Sequence, residues 1–347
     1  MIPTLTLALL MASELLAGLA RRAEMYYLSG EATEKRQPPT RRADSANGSG
    51  FRMEHAQAAT AAVEPTSRYA TINGLRLHYL DWGGDPSRHT IVLVHGGTAH
   101  VHWWDAVAPL LLPYGRVVAF DFRGHGRSEW PRPAAYGPQA HISDLREFIA
   151  LHLRTPVVLA GHSMGGELSL RIVVRHPELV EGFVSIDAPA GGPPLLTRLK
   201  WRWKRRRQGG PRPDFASAAD LIRRFRLSPP GHNLTDEQLA ELALKGAEEL
   251  PNGRWAFRFD PEARAWRHRR RDWGRVSLRK ISRPTLIIRG RHSALMTPAA
   301  ARRMHRRTPG ARFVEIHDAH HHVPLDNPHA TAAAIGEFIE TLERTTR

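Results

Sequence analysis

The sequence predicts an α/β protein built on a mostly parallel sheet. Two observations carry that expectation. Short runs rich in Val, Ile, Leu and Phe alternate with segments of helical periodicity, the pattern left by successive strand–helix–strand units. One of those runs also feeds a Gly-x-Ser-x-Gly turn that opens directly into a helix-periodic stretch. At 347 residues and 41% hydrophobic content, the chain can build one large domain plus a smaller insert.

The elements follow in order along the chain. Residues 1–66 read as an N-terminal apolar segment and a disordered linker. The apolar heart, Leu5-Thr6-Leu7-Ala8-Leu9-Leu10-Met11-Ala12, has no basic stretch before it, Glu14 interrupts it, and Arg21-Arg22 follow. Those flanks make a secretory signal the lesser reading, and no apolar run reaches the roughly 18 residues of a membrane span. Residues 30–66 are rich in Pro, Gly, Ser, Thr and charge, a linker composition. Met1, Met25 and Met53 all stand as translation starts. Order is expected from about Arg68, where Tyr69–Ile72 and Leu75–Tyr79 flank Asn73-Gly74, the dipeptide suited to a tight hairpin turn. Strand runs then fall at Ile91–Val94, Val117–Phe120, Val157–Ala160, Phe183–Ile186, Thr285–Ile288 and Phe313–Ile316, with His141–Leu153 and Thr331–Leu342 among the helices between them.

The turn Gly161-His162-Ser163-Met164-Gly165-Gly166 is the first chemical signal. A strand that turns sharply into a helix holds its serine hydroxyl above the sheet edge, where a base and a substrate can both reach it. Three further segments lie in the order an acyl-transfer site needs. They are Thr90–Val94 leading into His95-Gly96-Gly97-Thr98, Arg116–Asp121 leading into Phe122-Arg123-Gly124-His125-Gly126-Arg127-Ser128, and Arg312–Ile316 leading into His317-Asp318-Ala319-His320-His321-His322-Val323-Pro324. Together the four motifs, spread over about residues 68 to 345, resemble the α/β-hydrolase superfamily, in particular its single-chain members with a helical cap. The resemblance implies helices on both faces of the sheet and a site at the carboxyl ends of the strands. It also implies Ser163 as nucleophile and His321 as general base, in an Asp-Ala-Gly-His-x-Val-Pro context where His320 stands in place of the usual glycine. Backbone N–H groups of Met164 and of Gly97 (with Thr98 as the alternative) would form the oxyanion hole. His95 is expected to brace its loop or, with Thr98, to border the pocket.

The third member of the triad departs from the pattern. After Pro284–Ile288 comes Arg289-Gly290-Arg291-His292-Ser293-Ala294, and no Asp or Glu occurs between Gly290 and Gly310, where relatives carry their acid. Asp187, at the end of the strand after the nucleophile helix, is the substitute on the correct edge of the sheet, the place that haloalkane dehalogenases use. Asp318, Asp326 and a site completed by water or Ser293 are the alternatives. Loss of an orienting acid typically costs on the order of 10⁴ in turnover without abolishing it.

The core is expected over 67–189 and 281–347, with a basic helical cap over 190–280 carrying helices at Ser217–Arg226 and Asp236–Glu249. From Arg198 to Lys280 there are 22 Lys and Arg against 10 Asp and Glu, most of the chain's +16. Trp201, Trp203, Trp266 and Trp273 interleave the two Arg-rich clusters, so contact of Arg198–Arg207 with a membrane surface competes with a plain solvated face. No nucleic-acid-binding module accompanies the charge. An Asp nucleophile and cap tyrosines are both missing, which disfavours dehalogenase and epoxide hydrolase chemistry. The chain has no cysteine, in keeping with a cytoplasmic setting. Adjacent histidines without help from elsewhere do not make a zinc site. The expectation is therefore a serine hydrolase of carboxylic esters, thioesters or lactones, with a small-molecule acyl substrate and no metal or organic cofactor. Two other classes stay open: a degenerate hydrolase fold that binds a ligand, and a membrane- or polyanion-binding protein acting through the cap.

Overall fold

The computed structural model describes residues 63–190, 211–266 and 276–345. The N-terminal apolar segment, most of the linker, the cluster Arg198–Arg207 and most of the second basic cluster lie outside the described residues. Eight strands form the main sheet: β1 (Thr66–Ile72), β2 (Leu75–Gly83), β3 (His89–Val94), β4 (Gly115–Phe120), β5 (Val157–His162), β6 (Val180–Ile186), β10 (Thr285–Gly290) and β11 (Arg312–Ile316), in the order β1-β2-β4-β3-β5-β6-β10-β11. Only the pairings β1–β2 and β2–β4 are antiparallel. The β1–β2 hairpin closes at Asn73-Gly74, both at positive φ, as that dipeptide predicts.

Strands covered on both faces read as continuous apolar runs because neither alternate set faces water. Leu93, Ala119, Ala160, Ile186 and Ile288 pack on one face against Ile335, Phe338 and Ile339 of the C-terminal helix Pro328–Thr345. Val94, Val118, Phe120, Leu159 and Phe183 face the other way, against Leu145, Phe148 and Ile149 of the helix Pro138–His152 and Leu168 and Ile172 of the helix Met164–Arg175. The chain leaves β3 to one side for β4 and later returns to its other side as β5. Such a reversal opens a crevice at the carboxyl ends of the central strands.

The segment between β6 and β10 differs from the all-helical expectation. Its described residues hold the helices Ala218–Arg224, Asp236–Lys245 and Pro261–Trp266 and a small antiparallel sheet of β7 (Asp214–Phe215), β8 (Ala247–Glu249) and β9 (Trp255–Phe257) in the order β7-β9-β8. The helix expected to run to Glu249 ends at Lys245, because Gly246 caps it and the next three residues pair with β9. Its start matches the sequence signal: Thr235 and Gln238 form a reciprocal capping box. Polar contacts tie this insertion to the core. Tyr136 Oη and Arg132 Nη1 both donate to the buried Asp260 Oδ2, at 2.6 and 2.7 Å, and Asn233 N donates to Asp326 Oδ1 at 2.8 Å. Among the described residues no helix is long and apolar enough to cross a membrane.

Phe148 is fully buried, with ring centroids 4.7 Å from Phe120 and 4.9 Å from Tyr79. Phe148→Ala is expected to lower unfolding free energy by about 3–5 kcal/mol, the usual cost of an aromatic cavity, read from the midpoint of a urea titration.

Candidate active site

Ser163 sits between β5 and the helix Met164–Arg175 at φ 52, ψ −115, a region an L-residue rarely visits. The turn is tight enough that a Cβ on Gly161 would lie 2.6 Å from Gly165 C, and one on Gly165 would lie 2.5 Å from Val94 O. Glycine at both positions therefore lets strand and helix meet at the serine. Apart from Asn73 in the hairpin, the positive-φ residues other than glycine among the described residues are Thr98, Ser163, Asp187 and Asp318. They follow β3, β5, β6 and β11. Each costs of order 1–3 kcal/mol, and such strain gathers where a fold must aim functional groups.

Those four loops converge. His321 Nε2 lies 3.0 Å from Ser163 Oγ, and His321 Nδ1 lies 2.6 Å from Asp187 Oδ2. Because a carboxylate can only accept, Nδ1 carries the imidazole proton and Nε2 is left to accept from the serine hydroxyl. His321 is 3% exposed and Asp187 is fully buried. The carboxylate is satisfied from two further sides: Gly290 N donates to Oδ1 at 3.1 Å and Ser293 Oγ donates to Oδ2 at 2.6 Å. Ser293 Oγ in turn accepts from the backbone N–H of Met296 at 3.0 Å and of Leu295 at 3.2 Å. Of Asp187, Asp318 and Asp326, Asp187 is the one hydrogen-bonded to His321. Asp326 spends its carboxylate on the backbone N–H groups of Asn233 and His320, while the backbone carbonyl of Asp318 accepts from Asn233 Nδ2.

The three consecutive histidines separate by what they touch. The backbone N–H of His320 bonds Asp326, and His322 Nε2 donates to Pro229 O of the insertion at 2.9 Å. Burial pushes His322 down to about 3, assisted by the neighbouring His321, so it stays neutral. Met164 is the first residue of the nucleophile helix, and Gly97 lies in the loop after β3. A Cβ on the adjoining Gly96 would stand 3.4 Å from Ser163 Cβ, so that loop runs directly beside the serine. Thr98 is half-buried there. His95 is fully buried; its Nδ1 donates to Gly96 O at 2.7 Å and its Nε2 accepts from Phe122 N at 3.1 Å. Both nitrogens are thus engaged in holding the loop, and none faces a substrate. Trp103, Leu227 and Leu242 form an apolar cluster where the insertion meets this face.

The family described as alpha/beta hydrolase fold matches residues 89–328. The chain belongs to the α/β-hydrolase fold family. Esterase Rv0045c of Mycobacterium tuberculosis is 27% identical over 271 residues, covering 76% of this chain and 86% of that protein. N-formylmaleamate deformylase of Pseudomonas putida is 26% identical over 275 residues, covering 77% and 94%. Among solved structures, E-2-(acetamidomethylene)succinate hydrolase superposes with a TM-score of 0.68 at 24% identity, over 80% of this chain and all of that one, a likeness of fold.

In this α/β-hydrolase chain, sequence reasoning reached Ser293 only as an alternative to the acid. The residue after β10 instead props the acid that stands after β6. Its signal was available in the same gap: a serine where relatives place a carboxylate. Two outcomes are expected. Asp187→Asn lowers turnover on the order of 10⁴-fold, because the amide favours the wrong imidazole tautomer, and Ser293→Asp added to Asp187→Asn restores part of it. Ser293→Ala lowers kcat about tenfold with KM unchanged, the worth of one hydrogen bond to a buried charge, while Ser293→Thr retains activity; steady-state kinetics on any ester the wild type turns over reads both.

Proposed function

We propose that the protein is a serine hydrolase that cleaves carboxylic esters, thioesters or lactones through an acyl-enzyme on Ser163. The observation that carries this reading is the unbroken hydrogen-bonded relay from Ser163 Oγ through His321 to the buried Asp187. A serine hydroxyl attacks a carbonyl only when a base removes its proton, and His321 Nε2 is oriented for that role. As Oγ bonds to the acyl carbon, its proton passes to Nε2, and the Asp187 carboxylate stabilises the resulting imidazolium. The N–H groups of Gly97 and Met164 hold the oxyanion. Collapse expels the alcohol, thiol or ring oxygen, which takes the proton from His321. Water then attacks the acyl carbon as it loses a proton to the same nitrogen, and Nε2 returns that proton to Ser163 Oγ as the bond to the serine breaks and the acid leaves. Every step uses groups of this chain.

Two further observations support the reading. Two of its relatives are named as an esterase and a deformylase, both hydrolases of a carbonyl group. The insertion also places Leu227 and Leu242 on Trp103 beside the site, which suits a cap that dehydrates an acyl group. A degenerate fold would have no reason to keep a carboxylate buried against the imidazole, since a buried charge is retained only where it is paired.

A fluorophosphonate probe tests the proposal. Wild type is expected to label at Ser163, with labelling absent in Ser163→Ala, absent or very slow in His321→Ala, and slowed in Asp187→Asn. Folded wild type that does not label would sink the reading.

A further inference from the structure

Three histidines meet beside the nucleophile, and the relay uses only one of them. His162 is 2% exposed and His322 is 1% exposed. Each directs one ring N–H to an oxygen: His162 Nε2 to His321 O at 2.8 Å and His322 Nε2 to Pro229 O at 2.9 Å. A carbonyl can only accept, so both protons are fixed on Nε2 and the lone pairs sit on Nδ1. Among the described residues neither Nδ1 has a hydrogen-bond partner. Leaving such an acceptor dry costs about 1–3 kcal/mol, and here two lie around one catalytic ring. His321 follows the same rule with its nitrogens exchanged, since Nδ1–H goes to Asp187 and the lone pair on Nε2 faces Ser163.

These three rings each offer one ligand nitrogen, and the three nitrogens lie within 4.8 Å of one another. The space beside His162 Nδ1 is open because residue 96 is glycine; a Cβ there would stand 2.9 Å from that nitrogen. An outer N–H held by a carbonyl or carboxylate, with the inner lone pair free, is the way metal-binding histidines are oriented. We propose that His162, His321 and His322 form an inhibitory site for a divalent transition ion, zinc above all, with water as the fourth ligand. Imidazoles without thiolates or additional carboxylates suit zinc, copper and nickel and not magnesium or calcium. Zinc–nitrogen bonds of about 2.0–2.1 Å in a tetrahedron need nitrogens roughly 3.3 Å apart, so the rings close inward on binding. The ion takes the Nε2 lone pair that would otherwise accept the serine proton. Ser163 then keeps its hydrogen and cannot attack.

Binding rests on geometry alone; only the inhibition rests on the proposed reaction. The test uses the full chain, prepared without a polyhistidine tag. Equilibrium dialysis against ZnCl₂ is expected to give one protected ion per chain, and Co²⁺ in its place the intense visible absorption of tetrahedral coordination. His322→Gln and His162→Gln, each first checked for cooperative unfolding, should weaken zinc binding about tenfold or more, the usual effect of disturbing one ligand. Fluorophosphonate labelling of wild type should slow in zinc, recover in EDTA, and become zinc-insensitive in His322→Gln. Zinc binding that is absent in the wild type, or undiminished in both variants, overturns the site. Zinc that binds there while labelling proceeds unchanged overturns the inhibitory role. A chain that binds zinc as expected but never labels leaves the metal site standing and removes the hydrolase reading.

Discussion

One carboxylate withdrawn entirely from water organises the active face. Asp187 can remain charged at full burial only if its oxygens are filled by donors, and those donors come from far along the chain: the N–H of Gly290, the hydroxyl of Ser293 and the imidazole of His321. Satisfying that charge therefore draws the ends of β6, β10 and β11 to one point. The imidazole so held has one direction left for its second nitrogen, and Ser163 stands there. The same demand gives the loop after β10 a part in the site although it carries no acid. It keeps a hydroxyl of the right reach, itself fixed by two backbone donors.

What could be read in the sequence was whatever local chemistry dictates. Apolar runs buried on both faces mark the central strands wherever they fall, so Ile91–Val94 and Val157–Ala160 lie inside their observed elements. Gly161 and Gly165 betray the elbow because no Cβ fits there. Local pattern falls silent where a contact is made across the fold. The flanking Asp318-Ala319 and Val323-Pro324 point to His321 through the family pattern, but which ring faces Asp187 is seen only in the fold. Strands β7, β8 and β9 are two or three residues long, too short for alternation to show. Ser293 reads as an ordinary loop serine until Asp187 is placed beside it. The pairing of His162 with His322 spans 160 positions and leaves no trace in either neighbourhood.

Polar contacts hold the insertion at several points: Asp260 receives Tyr136 and Arg132, Lys245 bonds Asp105, and Asn233 and Pro229 engage the loop that carries the histidines. The base is thus tied on one side to the carboxylate that orients it and, through the next residue, to the segment that covers it. His322 joins the loop that carries His321 to the insertion through its hydrogen bond to Pro229.

Ser163 and Asp187 stand at the ends of neighbouring strands. The Ser163 amide donates to Ile186 O at 2.9 Å, one residue before Asp187, and the Asp187 amide donates to Ile288 O at 2.8 Å. These two groups are locked by the sheet's own ladder in its interior, whereas His321 arrives from beyond β11, the strand at the sheet's free edge. The machinery thus has unequal permanence. Fraying that begins at the C-terminal rim would carry off His321 while Ser163 and Asp187 kept their register, so on warming the hydrogen-bonded relay comes apart before the core melts.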